Sequence, residues 1–194
     1  YVEKYDATLS FGQNLVAVDG DKKIATFAST DAEGNVTKTD KEFEMLHVCP
    51  PQCALDFVKN SPLAAENGFL SVDINTLQHT KYSNVFGAGD TIATLNAKTA
   101  AAARKHAVVV AENLLSSMDG KELMSLYEGY GSCPLTVTKN KIILAEFSYG
   151  GKITPTFPGW INNTFKATRR AWVLKAEVLP WVYWNCMLKG REWY

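Results

Sequence analysis

The stretch VFGAGDT at residues 85–91, followed by KTAAAARKHAVVVAENL at residues 98–114, decides the fold of this chain. Val85 and Phe86 are typical of the end of a buried strand. The alanine-rich run has a high helix propensity and predicts a helix over residues 99–115. The sequence therefore predicts a strand, a tight turn and a long helix in direct succession.

Two glycines and an aspartate form the turn between this strand and this helix. Gly87 and Gly89 allow the backbone to bend sharply or to approach another group closely, and Asp90 adds a carboxylate. Thr99, which follows Lys98, is a natural N-cap, and the free N–H groups behind it favour an anionic or carbonyl ligand. The arrangement suits a nucleotide cofactor, although the third glycine of the dinucleotide fingerprint is missing. An ordinary turn before a capped core helix is the alternative.

Composition places the chain among ordered globular proteins. It has 194 residues, of which 46% are hydrophobic and 21% charged, and its 20 basic and 20 acidic side chains cancel. A neutral chain in which no basic run accompanies stacking aromatic residues argues against nucleic acid binding. The chain begins YVEKYDATLSF, without an initiator methionine or a signal peptide, so we expect it to be a piece of a longer protein.

The cysteines and histidines are too scattered to predict a metal site or a disulfide scaffold. Cys49 and Cys53 flank a double proline, but no second ligand pair follows at the spacing that zinc requires. Each thiol is therefore expected to be inert and partly buried unless a further argument applies. The residues concerned are Cys49, Cys53, Cys133, Cys186, His47, His79 and His106.

Residues 8–48 have the alternating pattern of a β-meander. Three runs, TLSFGQNLVAV, KKIATFAS and VTKTDKEFEMLHV, are separated by Asp-Gly and Glu-Gly-Asn turns. The third run is expected to remain a strand up to Val48 and to stop at the tandem prolines that come next. A second β pair is predicted around residues 139–141, after a turn that contains the motif YGSCP.

Residues 160–194 differ in composition from the rest of the chain. Six basic against two acidic side chains give this stretch a net charge of +4. The uncharged run VLPWVYWNCML, residues 178–188, is far shorter than the ~20 apolar residues that a membrane-spanning helix needs. Tryptophan and tyrosine beside basic residues suit the lipid headgroup boundary and indicate in-plane attachment. An aromatic helix pair packed on the core or on a second copy of the chain is an equal alternative. All five tryptophans lie here: Trp160, Trp172, Trp181, Trp184 and Trp193.

In the order of its motifs the chain resembles the C-terminal part of the sulfide:quinone oxidoreductases of the mitochondrial type. Several blocks in a fixed order are more specific than any one alone, and they extend over nearly the whole chain. The blocks are EMLHVCPP, SPLA, TLQHTKYSNVFGAGD, KTAAA, YEGYGSCPL, ILAEFSY and LKAEVLPWVYWNCMLKG. The resemblance implies an α/β fold: the C-terminal fragment of a flavoprotein with two Rossmann-like domains, ending in an amphipathic, membrane-associating helical stretch.

The resemblance also implies how the chain is divided and where FAD binds. Residues 1–50 would close the second, NAD-type domain, residues 51–116 would return to the FAD-binding domain, and residues 117–194 would form the quinone site and membrane-associating region. Asp90 would bond the ribityl chain, and the helix N-terminus would face the polar edge of the isoalloxazine. The implied cofactor contacts are Gly87, Ala88, Gly89, Asp90, Lys98 and Thr99.

By the same resemblance, Cys133 belongs to a redox-active cysteine pair whose other member lies outside this chain. Hydrogen sulfide, as hydrosulfide, would attack the disulfide and leave a persulfide, with Cys133 the favoured carrier. Two electrons would pass to FAD and on to ubiquinone, and the outer sulfur would leave to a small acceptor such as a thiol or sulfite. The implied location is the mitochondrial inner membrane, with monotopic attachment. A homo-oligomer is left open, and the isolated fragment is expected to be inactive.

A lipid-soluble quinone must enter from the bilayer, so its pocket is expected between the flavin and the tryptophan-rich tail. A core position is equally compatible with each candidate. The candidates for the quinone wall and the membrane contact are Phe147, Tyr149, Phe157, Phe165, Trp181 and Trp184.

Some residues depart from the family pattern. Cys49 and Cys53 are extra thiols, expected to be inert rather than a second disulfide that captures sulfur. His106 stands where relatives commonly carry glutamine, and Arg104 and Lys105 replace small residues. Surface variation on a helix would explain all three, and a proton donor to the reduced quinone is the alternative for His106.

Two other functions are compatible with the sequence. A type II NADH:quinone oxidoreductase shares the fold, FAD and monotopic attachment, but it would need no cysteine at the SCP motif. A non-catalytic membrane-binding or scaffold module would keep the fold without the chemistry. The presence of Asp90 and Cys133 argues against that module.

Overall fold

The computed structural model describes residues 1–191, and the chain divides into two compact units, Tyr1–Gln52 and Cys53–Tyr194. The first unit holds a three-stranded antiparallel sheet in the order β1-β2-β3. A carboxylate shapes the second of its turns, where the Asn35 N–H donates to Asp31 Oδ1 at 2.7 Å. The predicted meander is therefore confirmed. Its elements are a 3-10 turn (Glu3–Tyr5), β1 (Asn14–Asp19), β2 (Ile24–Thr30) and β3 (Val36–Glu42).

The predicted extension of the third strand to Val48 is wrong. β2 and β3 run in opposite directions, and their last pair joins Ile24 to Glu42. One more hydrogen bond extends the pairing, from Phe43 N–H to Lys23 O at 3.0 Å. Because β2 begins at Ile24, it offers no further partner, and the alternating pattern of the next residues is not enough to continue a ladder.

The first unit buries little apolar surface within itself. Among its residues, all of which the structure describes, Ala25 is the one buried hydrophobic side chain. Leu9, Phe11, Val36 and Met45 are exposed. A small sheet without a covered apolar face has little stability of its own. The meander alone is therefore weakly stabilised by hydrophobic burial.

The second unit begins with short elements around a hydrophobic cluster. Helix α1 (Asp56–Lys59) is followed by isolated bridges rather than full strands, so the strand predicted before the glycine turn is reduced to a single bridge at Phe86. A 3-10 turn (Gly89–Thr91) and helix α2 (Ala100–Met118) come next. The bridges join Ala64 to Leu70, Leu70 to Ile92, Val72 to His79 and Gln78 to Phe86.

Helix α2 confirms the predicted helix and its cap. Thr99 Oγ1 accepts a hydrogen bond from the Ala102 N–H at 3.2 Å. The residues that α2 buries recur every three or four positions and therefore share one face. They are Ala102, His106, Val109 and Asn113. The apolar members of this face pack into a cluster with Val58, Leu70, Val72, Leu77, Ile92 and Tyr127.

A second antiparallel sheet comes after α2, and it confirms the predicted β pair around residues 139–141. Asn140 makes the connecting turn, with a left-handed φ of 58°. One face of this sheet buries Ile142 and Leu144 against Ala171 of the tail. Its strands, hydrogen-bonded in chain order, are β4 (Gly131–Thr138), β5 (Lys141–Ser148) and β6 (Lys152–Ile153).

The tail is a helical run with a widened turn in its middle. Helix α3 (Arg169–Val173) passes into a π turn (Leu174–Val178) and continues as α4 (Leu179–Asn185). Pro180 accounts for the widening, because it has no N–H to donate to the carbonyl four residues earlier and its ring would clash with that carbonyl. No helix in residues 1–191 has the length and apolar character needed to cross a membrane.

Candidate functional site

Gly87 is explained by the packing of the chain itself. It is buried, and a Cβ at this position would lie 2.5 Å from both Ile92 Cγ2 and Leu70 Cδ2. Its N–H donates to Leu77 O at 3.0 Å. The close approach predicted for this glycine is therefore an approach to the hydrophobic cluster.

The next residues form the exposed part of the turn. Gly89 has a φ of +72°, in the left-handed region that favours glycine. Ala88 and Asp90 are exposed. Within residues 1–191 the Asp90 carboxylate has neither a hydrogen-bond donor nor an ion pair. It is available to accept hydrogen bonds from a hydroxyl group.

Helix α2 begins beside this turn. A Cβ on Gly89 would lie 4.0 Å from the Cβ of Ala103, in the first turn of α2. Thr99 accepts from the N–H groups of Ala102 and Ala103, which leaves the first N–H groups of the helix without an intrahelical partner. The structure therefore brings Gly89 and its neighbours Ala88 and Asp90 to the N-terminus of α2, which Thr99 caps. Gly87, in contrast, is enclosed by the hydrophobic cluster.

Lys98 lies at the same corner, but its ammonium group turns inward. Lys98 Nζ donates to Ile92 O at 2.7 Å and lies 4.3 Å from the centroid of the Phe69 ring. Burial lowers the pKa of Lys98, and the nearby Asp90 carboxylate opposes that shift. The ammonium anchors the loop before α2, and its contact with a cofactor stays a prediction.

His106 is buried, so the interpretation as surface variation is wrong for this residue. It is 2% exposed, and its Nδ1 accepts a hydrogen bond from the Gly89 N–H at 3.0 Å. Its ring packs edge-to-face on Tyr127, with 4.2 Å between the centroids. Burial lowers the pKa of His106, the Lys98 ammonium lowers it further, and the Asp90 carboxylate opposes both. His106 therefore connects the buried face of α2 to the glycine turn.

Cys133 lies inside strand β4, not in a turn as the motif YGSCP predicted. It is half-buried and pairs with Ala145 on β5. Directly opposed side chains of an antiparallel pair lie on the same face of the sheet. Cys133 therefore shares a face with Ala145 and with Phe147, two residues further along β5. Pro134, the next residue, is tolerated because β4 is an edge strand of this sheet.

An open cavity of about 360 Å³ lies beside this face of the sheet. Phe147 and Phe165, two of the predicted quinone-wall residues, both line it. Its size falls within the range of small-molecule sites, and its lining is mostly apolar. The other lining residues are Ala145, Glu146, Gly151, Ile153 and Thr164.

Tyr149 and Phe157 do not line this cavity. The Tyr149 hydroxyl donates to Ile74 O at 2.6 Å, and its ring packs edge-to-face on Tyr127. Burial raises the pKa of Tyr149 to about 12. Phe157 packs against the cluster on the opposite face of the sheet, which contains Ile142. Core packing accounts for both positions.

The tail exposes two of its predicted membrane contacts. Trp181 and Trp184 lie on α4 and are 60% and 64% exposed, whereas Val182 between them is 3% exposed. Trp160 is exposed as well, and Trp172 packs against the cluster of the second sheet. Trp193 lies outside the described residues.

Sequence reasoning missed a buried carboxylate on β5. Glu146 is 4% exposed and has no ion pair within residues 1–191. It accepts from the Tyr130 hydroxyl at 2.7 Å, from the Thr156 N–H at 3.1 Å and from the Thr156 hydroxyl. Burial raises the pKa of Tyr130, and the bond to Glu146 adds to this. The signal was present in the alternation of β5, which puts Glu146 on the same face as Ile142 and Leu144.

The CPPQC motif shows only a local contact. His47 Nε2 and Cys49 Sγ are 3.4 Å apart, and both residues are exposed. Cys53 is also exposed, so partial burial was wrong for these two thiols, whereas Cys133 and Cys186 are half-buried. No group of three potential metal ligands occurs in the part of the chain that the structure describes.

Two solved structures share the fold of this chain. The sulfide:quinone oxidoreductase of the hyperthermophilic bacterium Aquifex aeolicus matches 98% of this chain and 44% of its own, with a TM-score of 0.63 at 15% identity. A chain in the cryo-EM structure of the Tetrahymena thermophila mitochondrial ATP synthase matches 94% of this chain and 43% of its own, with a TM-score of 0.77 at 26% identity. The fold is that of part of a sulfide:quinone oxidoreductase.

Curated sequences make the relationship more specific. Proteins named mitochondrial sulfide:quinone oxidoreductase are 42% identical in Dictyostelium discoideum, 38% in Mus musculus and 35% in Schizosaccharomyces pombe, over 95%, 97% and 96% of this chain. The chain spans about two fifths of their length, between 39% and 41%. No protein-family model matches the chain. The chain is a relative of the mitochondrial sulfide:quinone oxidoreductases over nearly all of its own length, as its motifs predicted.

Proposed function

We propose that the protein carrying this chain oxidises hydrogen sulfide and passes the electrons to ubiquinone. The observation that carries the proposal is the identity of 35–42% over at least 95% of the chain to proteins of that name. The geometry is compatible with it, because the strand that carries Cys133 packs against α2, whose N-terminus lies beside Asp90.

FAD fits the corner around Asp90. The Asp90 carboxylate has no donor in the described chain and can accept from a ribityl hydroxyl, while the free N–H groups of α2 favour a carbonyl or a negative charge. FAD, when bound, supplies the two-electron acceptor between the cysteine pair and the quinone. In this proposal residues 1–50 close an NAD-type Rossmann-like domain, residues 51–116 return to the FAD domain, and residues 117–194 form the quinone and membrane region.

Cys133 is proposed as one of a cysteine pair whose second member lies outside this chain. Attack of hydrosulfide breaks the disulfide, forms a new S–S bond on Cys133 and releases the other cysteine as a thiolate. The outer sulfur then transfers to a small nucleophile, a thiol or sulfite, which leaves Cys133 as a thiolate. Both cysteines are then reduced, and the sulfide sulfur has lost two electrons.

The quinone and membrane sites are proposed around the tail. The cavity lined by Phe147 and Phe165 lies on the same face of the sheet as Cys133, and its apolar lining suits a quinone ring. Trp181 and Trp184, with the basic side chains of the tail, suit the headgroup region of a bilayer. We propose peripheral attachment to the mitochondrial inner membrane.

Anaerobic visible spectra of the full-length protein test the proposal. Wild type and the matched control Cys186→Ser, which removes another half-buried thiol, should show a flavin band that sulfide bleaches. Cys133→Ser should keep the flavin and stay oxidised. Bleaching by NADH but not by sulfide would indicate an NADH:quinone oxidoreductase, and bleaching of Cys133→Ser by sulfide would remove the proposed role of Cys133.

A second candidate is a non-catalytic component of a large mitochondrial assembly. The observation in its favour is the fold shared with a chain of the Tetrahymena thermophila ATP synthase structure, at a TM-score of 0.77. This candidate predicts that the protein purifies without flavin and sediments with a large complex. A stoichiometric flavin that sulfide reduces would exclude it.

A further inference from the structure

His106 contacts the glycine turn from the side of the hydrophobic cluster. Its side chain bonds the backbone of the turn from α2, through the 3.0 Å contact from the Gly89 N–H to Nδ1. The Tyr127 ring covers the imidazole on one side, and the residue is 2% exposed. The bond is therefore shielded from water on the side of His106 and Tyr127.

The direction of this bond fixes the state of the imidazole. A ring nitrogen that accepts from a backbone N–H carries no proton, so His106 must be the neutral form with its proton on Nε2. Nε2 is itself buried, and no partner for it occurs among the described residues. Nδ1 thus serves as an acceptor for the turn, and protonation would convert it into a second donor facing the Gly89 N–H.

The bond matters because Gly89 directly precedes the carboxylate of the turn. Gly89 is held at a φ of +72°, and the next residue carries the exposed Asp90 carboxylate. The Gly89 N–H is partly buried, and leaving it without an acceptor costs up to about 1–3 kcal/mol, which is enough to favour another conformation of a short turn. The position of the Asp90 carboxylate therefore depends on the acceptor that His106 provides.

We propose that His106 is a positioning residue for the cofactor turn: its Nδ1 holds Gly89, and through it the Asp90 carboxylate, in the conformation that binds FAD. The inference rests on the proposed function and assigns no contact between His106 and the cofactor itself. The charged groups that act on the imidazole are Lys98 and Asp90, and Tyr127 covers it from the segment after α2.

Two variants at this position separate an acceptor from a space-filling role. His106→Gln keeps a neutral acceptor of similar reach, whereas His106→Leu fills the space without one. In the full-length protein, His106→Leu should bind FAD about tenfold more weakly, which corresponds to about 1.4 kcal/mol, and His106→Gln should stay close to wild type. Asn113→Leu is the matched control, because Asn113 is a buried polar residue of the same helix that bonds Thr76 and Ser125 instead.

A pH profile adds a readout that a merely structural role would not change. Between about pH 7.5 and about pH 5 the FAD affinity of wild type should fall as His106 is protonated, and that of His106→Gln should not, because an amide does not titrate in this range. Burial and the Lys98 ammonium lower the pKa of His106 below its ordinary value of 6.5, and the Asp90 carboxylate opposes this shift. The fall in affinity should therefore be centred below pH 6.5. Equal pH profiles for wild type and His106→Gln would overturn the inference, as would an Asn113→Leu defect equal to that of His106→Leu.

Hydrogen exchange distinguishes failure of this inference from failure of the proposed function. The backbone amides of residues 85–91 should exchange faster in His106→Leu than in wild type or His106→Gln, whether or not a flavin is present. If wild type binds no FAD, the proposed function fails, and the hydrogen-exchange rates alone then decide whether His106 positions the turn. Unchanged exchange in His106→Leu would overturn the positioning role.

Discussion

Two glycines in one turn, Gly87 and Gly89, serve different physical purposes. Gly87 lacks a side chain because Leu70 and Ile92 occupy the space that a Cβ would need, and its backbone conformation is ordinary. Gly89 has space around it but a left-handed φ. Only the second glycine and its neighbours Ala88 and Asp90 are thus available to a ligand. A Gly-x-Gly-Asp motif cannot distinguish these purposes, because it records the absence of a side chain and not the reason for it.

Replacing Gly87 by alanine should destabilise the protein. The new Cβ would lie 2.5 Å from two core side chains, and overpacking of this kind costs about 1–3 kcal/mol. Urea unfolding measures the change in the free energy of unfolding. Gly159→Ala is the matched control, since a Cβ there meets nothing within 4 Å and φ is not left-handed. Equal stability of the two variants would contradict the account of Gly87.

Two tyrosines, Tyr127, which is buried, and Tyr149, which is partly buried, make stability sensitive to alkaline pH. The pKa of Tyr149 is raised to about 12, and that of Tyr127 is also raised, in both cases mainly by burial. A tyrosine that ionises less readily when folded stabilises the protein fully below its unfolded pKa of 10.0, and this contribution is lost as the pH rises from there towards the folded pKa.

The free energy of unfolding, measured from about pH 9 to about pH 12, tests whether stability falls with rising pH. The free energy of unfolding should begin to fall near pH 10, and Tyr149→Phe should reduce the slope because one titrating group is gone. Tyr149→Phe should also lose stability at neutral pH, because it removes the bond to Ile74 O. Tyr183→Phe, which removes the hydroxyl of an exposed tyrosine, is the matched control for the substitution itself. A slope that Tyr149→Phe does not reduce would argue against the raised pKa.

At the scale of elements, strand β5 shows how one short sequence serves two surroundings. Its alternate residues Ile142, Leu144 and Glu146 face the helical tail side of the sheet and are buried, while Ala145 and Phe147 face the cavity. Glu146 is accommodated because three donors from Tyr130 and Thr156 satisfy its oxygens. The strand thus buries apolar side chains and one hydrogen-bonded carboxylate on one face, and its other face lines the mostly apolar cavity.

The proposed membrane attachment predicts that helix α4 provides much of the affinity for a bilayer. The double variant Trp181→Ser with Trp184→Ser should lower partitioning onto phosphatidylcholine–phosphatidylglycerol vesicles about tenfold or more, because burying one large apolar side chain is worth about 1.5–3 kcal/mol. Phe57→Ser is the matched control, as Phe57 is 75% exposed on α1. Cosedimentation measures the effect. An equal loss in the control would show that exposed aromatic residues in general, rather than α4, govern binding.

At the scale of the whole molecule, local sequence patterns predicted the secondary-structure elements better than they predicted the packing around individual residues. The meander, helix α2 with its Thr99 cap and the hairpin at Asn140 all depend on turn residues and propensity, which act over a few positions. The end of β3 does not depend on local pattern alone, because it is set by the residue at which the partner strand β2 begins. The burial of His106 was also missed, since its neighbours Arg104 and Lys105 suggested a solvated face. The contact that placed it inside is with Tyr127, 21 positions away along the chain.

The π turn in the tail sets the direction in which the tryptophans point. An α-helix advances about 100° per residue, so 11 residues would bring Val182 almost into line with Ala171, the buried residue of α3. The wide turn Leu174–Val178 contains about one residue more than an ordinary α-helical turn. The residues that follow it are therefore rotated about the helix axis by about 100° from the positions they would have in a regular α-helix. The two halves of the run therefore face different azimuths. Deleting a single residue from this turn would bring the two halves of the run back into line and rotate Trp181 and Trp184 by the same angle. The number of residues in the turn therefore determines the direction in which these tryptophans point.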